Sequence, residues 1–137
     1  MEAVITSLLS GFPVLMVHIA VTLAMLAGGI ALYQLITPHH EFSLIRANNV
    51  AAAISLAGAV FGLAVPLAVS MATSVNVWDI VVWGAVALLI QLLTFWVVDL
   101  VLRDLSRRIE QGEIGAAIFV AGVKLAAAAI NAAAIAG

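Results

Sequence analysis

The chain has 137 residues, of which 66% are hydrophobic and 9% charged, with a formal net charge of -2. Its mean hydropathy is +1.27, whereas a soluble domain carries roughly a quarter charged residues, so the composition excludes an ordinary water-facing surface. Without cysteine there is no disulfide, thiolate nucleophile, iron–sulfur cluster or cysteine zinc site. Five Lys+Arg and no phosphate-cradling glycine loop leave nothing for nucleic acid to bind.

Taken in chain order, the apolar runs predict four membrane spans of about 20 residues or slightly more, which use most of the length. Glu2 is the only early charge, and the first apolar run covers residues 12–36, too long for the core of a secretory signal. It reads as a retained helix that begins after Ser10-Gly11, with Pro13 in its first turn, and stops at Thr37-Pro38. His39-His40-Glu41 follows as a polar connection; adjacent residues rarely converge on one ion, so no metal site is expected. Asn48 or Asn49 caps the second span, which runs to about Met71 with Pro66 kinking its distal half. The third span covers residues 77–102. The one charge-dense segment, Arg103-Asp104-Leu105-Ser106-Arg107-Arg108-Ile109-Glu110, separates it from a fourth over residues 112–135. Glu110 and Glu113 suit the positive end of that last helix.

Arg46 lies in the first connection and Arg103, Arg107 and Arg108 in the third, while the other loops and termini have no basic side chain. The positive-inside rule therefore puts connections 37–48 and 103–112 in the cytoplasm and both termini on the other side of a bacterial inner membrane. Trp78, Tyr33 and Trp96 fall where interfacial aromatic belts are expected.

Laying Ile45-Arg46-Ala47-Asn48-Asn49-Val50-Ala51-Ala52-Ala53-Ile54-Ser55-Leu56-Ala57-Gly58 over Ile109-Glu110-Gln111-Gly112-Glu113-Ile114-Gly115-Ala116-Ala117-Ile118-Phe119-Val120-Ala121-Gly122 aligns Ile, Ala-Ala-Ile and Ala-Gly. This suggests one membrane domain, 1–137, built as two tandem parallel helical hairpins, unit one over about 11–72 and unit two over about 76–136. Two spans per unit would place the symmetry axis along the bilayer normal. Four spans, two hairpin units and the stretch from Asn48 to Gly58 resemble the YjfL-like bacterial inner-membrane proteins grouped as domain of unknown function 350. Asn48 stands where that pattern has glycine, and Asp99 resembles the family's acidic position before the third connection. The resemblance implies a fold and a location. It adds a hint of polyamine or other small-solute context, because some relatives are associated with polyamine-type transferase domains.

Lys124 demands an explanation. Counted from Gly112 it lies roughly 15–18 Å deep, where an uncompensated charge costs about 2.5–3.5 kcal/mol on insertion scales. It is either a solute ligand or proton carrier, or a lysine satisfied by Gln91, backbone carbonyls or a partner protein. Asn131, seven residues on, shares its helix face, and Gln91 and His18 could extend a polar seam. Interhelical amide pairs also serve as plain structural glue. Asp99 and Arg103 are spaced i, i+4 and should pair on a helix surface. Gly58 and Gly62, with Gly122, the Ala20, Ala24 and Gly28 face and the span-four face of Ala117, Ala121 and Ala128-Ala129, form small-residue surfaces for close helix packing.

No nucleophile–base pair, paired carboxylates or cofactor motif points to an enzyme. Small multidrug exporters are disfavoured because the first span has no interior carboxylate. The expected function is an oligomeric membrane protein handling an ion or small solute around Lys124. The alternative is an accessory subunit of a larger membrane complex.

Overall fold

The computed structural model describes residues 1–37 and 41–137. Among them the helices are α1 (Glu2–Ile36), α2 (Glu41–Arg46), α3 (Val50–Thr73), α4 (Val77–Val101), α5 (Arg103–Glu110) and α6 (Ile114–Ala136). Four of these, α1, α3, α4 and α6, are long and apolar enough to cross a bilayer. The His39-His40 pair lies outside the described residues; Glu41, the third of that expected trio, opens α2 and is fully buried.

The helix directions follow from contacts between small and large side chains. A Cβ on Gly84 of α4 would meet Met25 of α1 and Leu67 of α3, and one on Gly29 of α1 would meet Leu88 of α4 and Leu63 of α3. Numbers rise together on α1 and α4 and fall on α3, so α1 and α4 run parallel and α3 opposes them. On α6, Ala121 faces Gly58 and the Lys124 carbonyl faces Gly62, so α3 and α6 run parallel. The α3–α6 pairing is the most extensive in the molecule. It can be so close because Gly58 has no side chain where Ala121 needs the room, and because Gly62 receives the edge of Phe95.

The two segments that lead into α3 and α6 have the same construction. Asn48 N donates to Ile45 O at 3.0 Å and Gly112 N to Ile109 O at 2.9 Å; Asn49 N donates to Leu44 O at 2.9 Å and Glu113 N to Arg108 O at 3.0 Å. Each turn passes through the left-handed region, at φ 61° for Asn48 and 86° for Gly112. Glycine enters that region freely and asparagine is among the few other residues that tolerate it, which accounts for Asn48 in a glycine position. Asn49 then caps α3, its Oδ1 accepting from Ala52 N at 3.0 Å, while its Nδ2 reaches the carbonyls of Ile109 at 3.0 Å and Glu110 at 3.2 Å. One side chain thus starts α3 and satisfies the end of α5.

Two sequence expectations change. The first helix starts at Glu2 rather than after Gly11, so Pro13 sits inside it. Glu2 complements the helix dipole, and the hydroxyls of Thr6 and Ser10 fold back onto the carbonyls of Glu2 and Thr6 instead of breaking the helix. Gly28 and Gly122 do not pack: nothing lies within 4 Å of a Cβ at either, and Ala20 and Ala24 are likewise exposed. On α1 the contact falls one residue away, on Gly29, and on α6 it falls on Ala121 of the expected alanine face, because the side of each helix turned to the bundle is set by Tyr33 and Lys124 at i+4 and i+3.

Adding one methyl at Gly58 would place it 2.5 Å from the Ala121 Cβ and 2.9 Å from its Cα, which is backbone and yields little. Gly58→Ala should therefore lower stability by about 1–3 kcal/mol. Gly122→Ala should stay within about 0.5 kcal/mol of the parent. Thermal unfolding of the detergent-solubilised variants tests both, and equal losses would refute the assigned α3–α6 face.

Candidate functional site

Lys124 projects from the tenth position beyond the start of α6 and is fully buried. Helical side chains lean toward the N-terminus of their own helix, so the Lys124 stem points back toward the end of the bundle where α6 begins. Asp99 and Tyr33 sit close to the C-terminal ends of α4 and α1, at that same end, and by the same rule lean inward. The three meet. Lys124 Nζ lies 2.9 Å from Asp99 Oδ1 and donates to Tyr33 Oη at 2.8 Å. It also lies 4.8 Å from the centroid of the Tyr33 ring and 5.2 Å from that of Phe95, and the two rings meet edge to face with centroids 5.8 Å apart. A carboxylate, a phenol oxygen and two π faces leave no side of the ammonium bare.

The chain of contacts continues through Tyr33. Its hydroxyl donates to Glu41 Oε1 at 3.1 Å, which also accepts from Ser55 Oγ at 3.1 Å, while Gln34 Nε2 donates to Glu41 Oε2 at 3.4 Å. Thr37 holds the end of α1 together, its hydroxyl donating to Tyr33 O at 2.6 Å. The result is an ordered series, Asp99, Lys124, Tyr33, Glu41, that joins four helices, with Tyr33 accepting from one side and donating to the other. Asp99 is nearly buried, its side chain 8% exposed. It also lines a cleft of about 400 Å³ outside the bundle between the ends of α1 and α4 and the helix α5.

The polar seam read from the sequence therefore separates into two parts. Gln91 Oε1 accepts from Asn131 Nδ2 at 2.9 Å, about 10 Å along α6 from Lys124 at 1.5 Å per residue. Gln91 Nε2 is buried there without a partner. His18 is half-buried on α1, and among the described residues its ring makes no hydrogen bond. The expected Asp99–Arg103 pair is absent: Asp99 turns into the bundle to meet Lys124, while Arg103 opens α5 and is exposed. Asn48 and Asn49 build the turn into α3 and make no contact with Lys124. Tyr33 and Glu41 were missed, Tyr33 being assigned to an interfacial belt and Glu41 to a loop.

Removing one partner of a buried pair leaves the other charge uncompensated, at a cost of about 3–5 kcal/mol. Lys124→Met should cause a loss of that size in detergent unfolding, and adding Asp99→Asn to it should restore a substantial part. Gln91→Leu, which breaks a neutral amide pair, should cost about 0.6–2 kcal/mol. A double variant no better than Lys124→Met alone would contradict direct coupling of the pair.

Comparison with known proteins bears on the whole span. A family profile described as Domain of Unknown Function (DUF350) matches residues 7–135. The chain is 38% identical over 102 residues to the UPF0719 inner membrane protein YjfL of Escherichia coli strain K12, covering 74% of this chain and 77% of that protein. The protein of the same name from Escherichia coli O157:H7 matches to the same extent. No solved structure matches. With a family match over residues 7–135 and 38% identity to YjfL over 102 residues, this chain, with its four candidate membrane helices, belongs to the DUF350 family.

Proposed function

We propose that this protein is a multi-pass component of a bacterial inner membrane that handles an ion or small solute, with the Asp99–Lys124–Tyr33–Glu41 series as its responsive element. The observation that carries this reading is the series itself. Ionisable side chains inside an apolar bundle are costly, and a buried ion pair adds little net stability over apolar residues of similar size, so their usual role is in conduction, proton transfer or ligand binding. Lys124 is already occupied by Asp99 and Tyr33. A solute anion would reach it by displacing Asp99, and a proton would free it by neutralising Asp99. Either event changes what Tyr33 and Glu41 can exchange.

The name of the YjfL relative supports the inner-membrane placement. Arg46, Arg103, Arg107 and Arg108 all lie at the end of the bundle that carries α2 and α5, which supports cytoplasmic connections and termini on the far side. The matching turns at Asn48 and Gly112, and the parallel senses of α1 with α4 and of α3 with α6, favour two tandem hairpin units. The Lys124 series and the Gln91–Asn131 pair are separate within one chain, so a complete path would form between copies, and the exposed Ala20, Ala24 and Gly28 face of α1 suits a homo-oligomer. The role is non-enzymatic and uses no cofactor. One observation favours an accessory-subunit role instead: residues 2–17 of α1 are exposed throughout, on a helix about 52 Å long, against a hydrocarbon core of about 30 Å.

Purified protein reconstituted in dye-loaded vesicles should dissipate an imposed proton, chloride or potassium gradient faster than empty vesicles. Lys124→Met and Asp99→Asn should each slow that flux by about tenfold or more, the loss expected when an interaction worth about 1.4 kcal/mol or more is removed. Tyr33→Phe, which keeps the ring and removes the relay hydroxyl, should slow it too. No flux for any of these ions, together with a second membrane protein retained through purification, would replace this reading with the accessory one.

A further inference from the structure

We propose that the cleft beside Asp99 binds the phosphate of an anionic phospholipid, held by Arg103 and Arg107. This site is independent of whether the protein transports anything. The cleft is bounded by Ile36 at the end of α1, by Trp96 and Leu100 on α4 and by α5. Arg103 and Arg107 are one turn apart on α5 and both line it. Among the described residues neither makes an ion pair: Asp99 is taken by Lys124, and the exposed Asp104 and Glu113 are engaged by Arg108 at 3.6 and 3.8 Å. Two guanidinium groups in one concave site with no carboxylate bound to either are a ready acceptor for a phosphodiester.

A second, independent feature points the same way. Ser106, between the two arginines in sequence and also part of the lining, is buried, yet its hydroxyl has no hydrogen-bond partner. Buried hydroxyls are rarely left unpaired, and rotation of the Ser106 side chain toward the cleft would give it a phosphate oxygen as acceptor. The remaining charges do not cancel the site. Asp99 is compensated by Lys124, and Glu110 sets one negative charge against two positive ones.

The walls favour a lipid over free phosphate. Trp96, Leu100 and Ile36 are all more than 40% exposed and lie on the membrane side of the arginines, on helices that continue into the apolar layer with Leu93 and Leu89 of α4 exposed beyond them. A headgroup between Arg103 and Arg107 would lay its acyl chains along that surface, with the Trp96 indole at the interface where tryptophan is favoured.

The test uses full-length protein carrying Trp78→Phe and Trp83→Phe, so that Trp96 is the only indole, in vesicles containing brominated phosphatidylglycerol or brominated phosphatidylcholine. Phosphatidylglycerol should quench Trp96 with a binding constant about fivefold or more higher than phosphatidylcholine, the scale of one arginine near an anionic surface. Arg103→Gln with Arg107→Gln should abolish that preference, while Arg46→Gln, at an exposed arginine outside the cleft, should keep it. Both sets of side chains are exposed, so the variants should fold, and unchanged helical circular dichroism checks this. Equal quenching by the two lipids, equal loss in Arg46→Gln, or complete displacement of the lipid by millimolar inorganic phosphate would each overturn the proposal.

Discussion

An ammonium group in an apolar bundle must be met on every side, and the placement of Lys124 governs much of the surrounding structure. Its partners come from the ends of two other helices, so α1 and α4 must finish at the level where the Lys124 stem, leaning toward the start of α6, can reach them. That requirement fixes the relative heights of α1, α4 and α6. Phe95, which closes one side of the ammonium, presses its edge into the space left by Gly62, and the Lys124 carbonyl lies beside the same glycine. The absence of a side chain at Gly62 is therefore as much a part of the site as the charge it helps enclose. Gly58 extends the same close approach by one turn toward the start of α3.

The reversals before α3 and α6 serve the same purpose. Each brings a short helix tightly back to the head of a membrane-length helix, and each needs a left-handed residue to do so, Asn48 in one case and Gly112 in the other. In the first, the reversal places Glu41 beneath Tyr33 and Ser55, so a carboxylate from an otherwise polar connection enters the bundle. In the second, it places Arg103 and Arg107 over the cleft instead. The two halves share a backbone device but direct opposite charges to different sides of Asp99. Asn49 couples them, capping α3 with one side-chain atom and holding the last carbonyls of α5 with another.

Much of this was legible in the sequence because it depends on length and periodicity. The spans over α3, α4 and α6, the cap at Asn49 and the close approach at Gly58 and Gly62 are local properties that neighbouring residues specify. A polar contact between Gln91 and Asn131 was also suggested by counting along helices. Asp99 was misjudged because its i+4 neighbour Arg103 offered a local partner, and nothing local reveals that α6 offers a better one. Pro13 misled for the reverse reason: it marks a helix start only where no stronger apolar continuity runs through it. Tyr33 and Glu41 meet through the packing of α2 against the bundle, so their roles appear only once α2 lies against α3 and beside Tyr33.

Asp99 gives these parts a common logic. It faces Lys124 on one side and a cleft bearing two unpaired arginines on the other, so it is the point at which the buried series meets the exterior. A carboxylate attracted from two directions can be held by the bundle or drawn toward α5, and the strength of each pull depends on charges that a ligand can alter. A phosphate between Arg103 and Arg107 would neutralise the outer attraction and leave Asp99 to Lys124, tightening the inner pair. Asp99 is thus the one side chain through which the charge at the cleft and the charge inside the bundle act on each other.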